Sequence, residues 1–196
     1  MDWRAFSDPD KRIEEGEWGV DKPLKPVELL RHVRHDWLNQ IQLIKANLSL
    51  NRIERAKEII EDITARSRNE SKLTNLHMPR VAELLLTFNW YEHSYRLQTE
   101  VIGREQDLSD YEDDLAAFLS EWLERLDDCA ELGAENDVLV SFQLGDDGVF
   151  ATMDFSGSLK ETKTLGQAVR LHKGFQVMED YISKEAFVLT LKIAPR

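Results

Sequence analysis

Five histidines, His32, His35, His77, His93 and His172, and one cysteine, Cys129, are all the imidazole and thiol that this 196-residue chain has for nucleophilic or metal chemistry. A metal centre needs several convergent ligands. There is no HExxH, and although His32 and His35 stand three apart on one helix, no further ligand pair accompanies them, so no metal site is expected. The single cysteine cannot make an intramolecular disulfide and reads as a small buried residue. The remaining chemistry is that of an imidazole as nucleophile. A free imidazole titrates near pH ~6.5, so at neutral pH much of it carries an open lone pair on one ring nitrogen. Attack of that lone pair on phosphorus gives a phosphoramidate, which is itself a phosphoryl donor. Such a transfer depends mainly on in-line positioning and charge neutralisation, so an accessible histidine on a rigid element suffices.

The helix from Val27 onward can supply that element. Pro26 stands where a missing N–H costs little, and Leu30, Val33, Trp37, Ile41, Ile44 and Leu48 recur every three or four residues as one narrow apolar stripe. With Leu30 at zero on the helical wheel, His35 falls at about 140°, beside Gln42 at about 120° and Asn39 at about 180°, whereas Asp36 falls at about 240°. His35 is therefore expected off the apolar stripe and accessible, its neighbours one and two turns on being small or polar. Most exposed histidines on helices are ordinary surface residues, and the spacing alone does not separate the two readings.

A break at Ser49 to Asn51 precedes a second helical run, about Arg52 to Leu73, with Ile53, Ala56, Ile60 and Ile63 on one face. Two amphipathic helices joined by a short turn make an antiparallel hairpin that buries only one seam. The apolar surface left over is expected to meet the hairpin of a second copy in a dimeric four-helix bundle, the alternative being that the C-terminal part covers it.

Beyond Pro79 the pattern changes. Val81 to about Leu97 reads as a helix, Gln98 to Gly103 as a short strand, and Glu112 to Leu132 as an acidic amphipathic helix. Asp137 to Leu144 and Val149 to Phe155 alternate on either side of Gly145-Asp146-Asp147-Gly148, a hairpin signal. A helix is expected around Phe175 to Ile182, and Ala186 to Ile193 reads as the last strand. The fold class is α+β: an arm over 1–26, a helical hairpin over 27–78 and an α/β domain over 79–196.

Charge divides along the same lines. The net charge of −12 splits into −2 for residues 1–26, +2 for 27–76 and −12 for 77–196. No basic stripe supports nucleic-acid binding, no apolar run is long enough for a membrane span, and the N-terminus has no leader-like apolar core. A cytoplasmic protein with no nucleic-acid or membrane partner is expected.

Arg34-His35-Asp36-Trp37-Leu38-Asn39, continued by QIQLIKANLSL from Gln40 to Leu50, strongly resembles the sporulation initiation phosphotransferases of the Bacillus phosphorelay. Glu70-Ser71-Lys72-Leu73-Thr74-Asn75-Leu76 and Leu86-Thr87-Phe88-Asn89-Trp90 share that resemblance, which is good over roughly Leu30 to Leu115. It implies a homodimer built on a four-helix bundle and a C-terminal domain similar to the ATP-binding domain of sensor histidine kinases. It further implies that His35 takes a phosphoryl group from the aspartyl phosphate of a single-domain response regulator. The group then passes to the receiver aspartate of a second regulator, a transcription factor. Mg²⁺ is expected in the regulator's acidic pocket, and no cofactor is expected on this chain.

ATP-dependent autophosphorylation is the alternative enzyme reading. It needs an asparagine-bearing helix to hold Mg²⁺-ATP and glycine-rich turns around the phosphates. Here Leu126-Asp127-Asp128-Cys129-Ala130 has cysteine where the kinase core Leu-x-x-Asn-Ala has asparagine, Met153 to Ser158 is at best a remnant of DxGxG, and there is no GxGxxG. ATP binding is not expected. A regulator-sequestering dimer without chemistry is the alternative of a different class. The expected roles are His35 as phosphoacceptor and Arg34 as a charge-offsetting neighbour. Asn39 and Gln42 are expected as regulator-contact positions, Leu38 and Leu43 either as further contacts or as edge packing inside the dimer bundle, Asp36 either to orient the ring or to be solvated, and Trp37 as a structural member of the stripe.

Overall fold

The computed structural model describes residues 26–163, 165 and 175–193; the expected N-terminal arm lies outside them except for Pro26. These residues form the anticipated α+β fold, in two compact units divided within one helix between Arg68 and Asn69.

The first unit holds α1 (Pro26–Ser49) and most of α2 (Ile53–Thr74). Asn51 sits at φ 56°, a left-handed conformation that asparagine tolerates better than most residues. The N–H of Arg52 then reaches back to the Asn47 carbonyl at 2.9 Å and that of Asn51 to Leu48 at 3.0 Å, closing α1 with a Schellman cap and turning the chain into α2. Near the turn Asn47, Ala56 and Ile59 are buried. Asn47 meets the cost of burial by donating its amide N–H to the Leu43 carbonyl at 2.9 Å. Farther along, Leu30, Val33, Trp37, Ile41 and Leu48 are all exposed in the single chain, Trp37 at 50% and Ile41 at 52%.

The last turns of α2 belong to the second unit. The Asn69 side chain bridges the edge of β1 (Arg96–Gly103), accepting from the Val101 N–H at 2.8 Å and donating to the Thr99 carbonyl, while Lys72 donates to Val101 O at 3.2 Å. Leu73 and Leu76 are fully buried in that unit's core. An amide presenting one donor and one acceptor satisfies an unpaired strand edge much as a neighbouring strand would.

A five-stranded sheet follows, in the order β1-β2-β3-β5-β4, with β2 over Asp137–Gly145, β3 over Gly148–Ser156, β4 over Gln176–Ile182 and β5 over Ala186–Ile193. β1 and β2 pair in parallel and the other pairs are antiparallel. α3 (Pro79–Thr87) and α4 (Glu112–Cys129) supply the helical side of the core, where Trp122, Phe118, Phe88, Phe142, Phe155 and Phe187 are almost entirely buried. Trp122 packs on Phe187 with ring centroids 5.0 Å apart. Alternation along β2 and β3 sends Val138, Val140, Phe142, Ala151, Met153 and Phe155 into this core.

Three expected boundaries shift. The segment around 175–182 is the strand β4, not a helix: it pairs with β5, and a register shift between Val177 and Glu179 disrupts the period-two pattern that would have marked it. The helix expected to run from Val81 to Leu97 ends at Thr87, passes through a 3-10 turn over Phe88–Trp90, and gives way to strand. There Asn89 exchanges hydrogen bonds with Leu97, its N–H to Leu97 O at 2.7 Å and its oxygen from Leu97 N at 3.0 Å. α4 ends at Cys129 because Ala130 is extended and forms a bridge with Leu159.

A polar pin joins the start of β1 to α4. Asp127 accepts from His93 Nδ1 at 2.8 Å and from the Ser94 N–H at 2.5 Å, and the His93 ring stacks on Phe88 at 3.7 Å. Burial pushes the Asp127 carboxyl up, but the hydrogen bonds and charge of His93 and Ser94 outweigh it and hold the group below the usual 3.8. A depressed carboxylate contributes stability that is present above its unfolded value and is lost as pH falls through the folded one. Asp127→Ala should cost about 2 kcal/mol at neutral pH, since it leaves buried donors without their acceptor. Urea titrations should show the deficit shrinking as pH falls below the ordinary carboxylate range and through the depressed value at which the folded carboxyl protonates.

Candidate functional site

His35 lies near the middle of α1, one turn before Asn39, with its side chain 37% exposed. The backbone around it is regular helix, so the imidazole is carried by an element already fixed by its own hydrogen bonds. Two side chains meet the ring. Asp36 places Oδ1 3.4 Å from Nδ1, and Asn39 places Nδ2 3.3 Å from Nδ1 and 3.4 Å from Nε2. Asp36 thus lies closer to the ring than its position on the helical wheel suggests, because a side chain next in sequence can bend back along the helix.

The tautomer follows from these contacts. A carboxylate only accepts, so the Asp36 contact is satisfied when the imidazole proton is on Nδ1. The lone pair then lies on Nε2; the Asn39 amide nitrogen, almost equally far from the two ring nitrogens, lies over the ring face and selects neither.

The other expected site residues take simpler positions. Arg34, Leu38, Gln42 and Leu43 are exposed, Leu38 at 50% and Leu43 at 41%. Among the described residues no hydrogen bond or ion pair links Arg34 or Gln42 to His35. Nor does any group of three His, Cys, Asp or Glu side chains there converge as a metal site would require. No described helix is long and apolar enough to cross a membrane.

The second unit shows how the end of α4 is closed. The N–H of Lys160 donates to Cys129 O at 2.8 Å, that of Glu131 to Ser158 O at 2.8 Å, and Ser158 Oγ to Glu131 at 2.6 Å. Asn136 fills the space behind, accepting from Ser158 N at 2.8 Å and donating to Ser94 O and Glu131 O at 2.9 Å each. A Cβ on Gly157 would come within 2.2 Å of the Asn136 oxygen, so only glycine lets the chain pass.

Comparison with known proteins gives a consistent picture. The family described as sensor kinase SpoOB-type, alpha-helical domain, matches residues 22–76, and that described as sporulation initiation phospho-transferase B, C-terminal, matches residues 77–194. Sporulation initiation phosphotransferase B of Bacillus subtilis (strain 168) is 39% identical over 137 residues, covering 69% of this chain and 71% of that protein. Among solved structures, the histidine kinase domain of the Erythrobacter litoralis EL346 blue-light activated histidine kinase has a TM-score of 0.45 at 10% identity, covering 79% of this chain and 93% of that one. The Acinetobacter baumannii histidine kinase AdeS has a TM-score of 0.35 at 11% identity, with 82% and 97% covered. Both structural likenesses are too slight to bear on this chain. The two family matches and the Bacillus relative agree, and the chain belongs to the sporulation initiation phosphotransferase B family.

Proposed function

We propose that this protein is a phosphotransferase of a sporulation phosphorelay. In this reading His35 takes the phosphoryl group of an aspartyl phosphate on a single-domain response regulator and passes it to the receiver aspartate of a second regulator, a transcription factor. The observation that carries the reading is the half-exposed His35 imidazole, set between Asp36 and Asn39 on a 24-residue helix of a chain in this family. In the forward step the Nε2 lone pair forms the P–N bond while the P–O bond to the donor aspartate breaks and its carboxylate leaves. The ring becomes an imidazolium carrying Nδ1–H, and Asp36 offsets that charge. The second step reverses the chemistry on the acceptor: its carboxylate oxygen bonds to phosphorus, the P–N bond breaks, and neutral His35 is restored.

Each regulator supplies its own Mg²⁺, and this chain binds neither nucleotide nor metal. The cysteine at 129, where the kinase core Leu-x-x-Asn-Ala has asparagine, favours that view. The segment over 27–76 carries a net charge of +2, which spares it broad repulsion from an acidic pocket, whereas 77–196 carries −12. The exposed stripe through Leu30, Val33, Trp37 and Ile41 supports a homodimer in which two hairpins complete a four-helix bundle, in this reading in the cytoplasm. Arg34, Leu38, Asn39, Gln42 and Leu43, on the same helix as His35, are in this reading the surface a receiver would touch.

The direct test follows radiolabelled phosphate from a phosphorylated receiver. Label should move to this chain and then, on addition of a second receiver, leave it. Binding of the receiver without transfer of label would instead identify a scaffold.

A further inference from the structure

β1 stands at one end of the sheet, paired with β2 on one side and with no strand on the other among the described residues. Alternate residues of a strand turn their N–H and C=O groups to the same side, so Leu97, Thr99 and Val101 present theirs in one row. Side chains take up that row. Asn89 accepts from the Leu97 N–H at 3.0 Å and donates to the Leu97 carbonyl at 2.7 Å. Asn69 accepts from the Val101 N–H at 2.8 Å and donates to the Thr99 carbonyl, and Lys72 donates to the Val101 carbonyl at 3.2 Å. Each asparagine amide brings one donor and one acceptor, the groups a sixth strand would bring. The seam continues beyond the strand, where Asn75 donates to Glu105 at 3.0 Å and the Leu108 N–H to the Leu76 carbonyl at 2.9 Å. The other end of the sheet is managed differently: β4 carries a register shift between Val177 and Glu179, and such an irregularity itself discourages strand addition.

We propose that Asn69 and Lys72 form a clasp that makes the last turns of α2 the sixth element of the sheet, so that the β1 edge is closed only while those turns are seated as helix. Asn89 closes the start of β1 from the turn that leads into it, 8 residues away. Asn69 closes the middle of the strand from 30 and 32 residues earlier in the chain, so its hold depends on α2 being in place. Leu73 and Leu76, fully buried on the same stretch of helix, seat it against the core. An edge strand with unpaired N–H and C=O groups is a template for another strand. Release of the clasp frees Thr99 and Val101 together and opens the middle of β1 to a strand from a second copy of this chain. The end of α2 and the closed edge are then one cooperative unit, which opens and closes as a whole. A local surface hydrogen bond would instead leave α2 and the assembly indifferent to its loss.

The test compares wild type with Asn69→Ala, Lys72→Met and Asn89→Ala in the full-length chain, by amide hydrogen exchange at single residues and by sedimentation over a series of concentrations. Asn69→Ala should speed exchange of the Val101 N–H by about tenfold, the scale of one net hydrogen bond. The α2 amides of Leu73 and Thr74 should speed up with it, and species heavier than wild type should appear and grow with concentration. Lys72→Met, which keeps the apolar stem and removes only the donor, should move the same three amides in the same direction by a smaller factor. Asn89→Ala should speed Leu97 while Leu73 and Thr74 exchange as in wild type. If Asn69→Ala released Val101 alone, with Leu73 and Thr74 unchanged, the contact would be local and the proposal would be wrong. A mass equal to that of wild type at every concentration would equally overturn it, because the edge would then be closed by something else. Should Asn69→Ala fail to fold, Lys72→Met decides: faster exchange at Val101, Leu73 and Thr74 together supports the clasp, and wild-type exchange at all three contradicts it.

Discussion

His35→Gln should retain the fold and lose transfer. Glutamine keeps a polar side chain of similar reach on α1, and His35 is exposed enough that the change removes no core contact. What disappears is the only atom in the site with a lone pair able to form the P–N bond. The expected loss is on the order of a thousandfold or more in the rate at which label reaches this chain, the scale typical of deleting a nucleophile. Rapid-quench assays with a phosphorylated receiver measure it. Receiver binding, followed separately by calorimetry, should change little, which separates chemistry from docking. Transfer to the second regulator at an undiminished rate through the variant would rule out His35 as the carrier.

Ile41→Glu should divide the dimer. Ile41 is 52% exposed in the single chain and lies on the stripe with Val33 and Trp37, so in the proposed dimer a charge there would meet the partner hairpin. A glutamate in an apolar seam costs ~2 kcal/mol per copy at the least, and two-fold symmetry doubles it to about 4 kcal/mol per dimer, about a thousandfold in dissociation constant. Sedimentation should show wild type at about 46 kDa, twice the chain mass of 22.8 kDa, and the variant at the monomer mass. Leu132→Glu is the control: Leu132 is 75% exposed and lies beyond α4, off the stripe, so its replacement should leave the assembly intact. If Ile41→Glu sediments like wild type, the stripe is not the seam.

The helices of the hairpin and the β2–β3 turn were legible because each carries its own local signal. Apolar residues every three or four positions write α1, and two alternating runs around Gly145 and Gly148 write the hairpin. β4 was not legible, since its pairing with β5 is nonlocal and its bulge breaks alternation. The early end of α3 was hidden for a related reason: Asn89 stops the helix by bonding to Leu97, a contact the helical pattern through Tyr91 gives no sign of. The same holds for Asn69, an exposed-looking amide on α2 whose partner strand begins 27 residues later. In the site, the wheel correctly took His35 off the apolar stripe and set it near Asn39. It gave no account of Asp36, because a wheel fixes where the Cα–Cβ bond points and not how the remaining torsions fold the carboxylate back.

In the proposed relay phosphate rests on His35 between two aspartates. Mass spectrometry under alkaline conditions, which preserve phosphohistidine, measures this most directly after incubation with a phosphorylated receiver. One phosphoryl group should map to His35, vanish on mild acid treatment, and vanish equally when a second receiver and Mg²⁺ are added. Phosphate on another residue, or a second receiver that becomes charged while His35 never carries phosphate, would contradict the account.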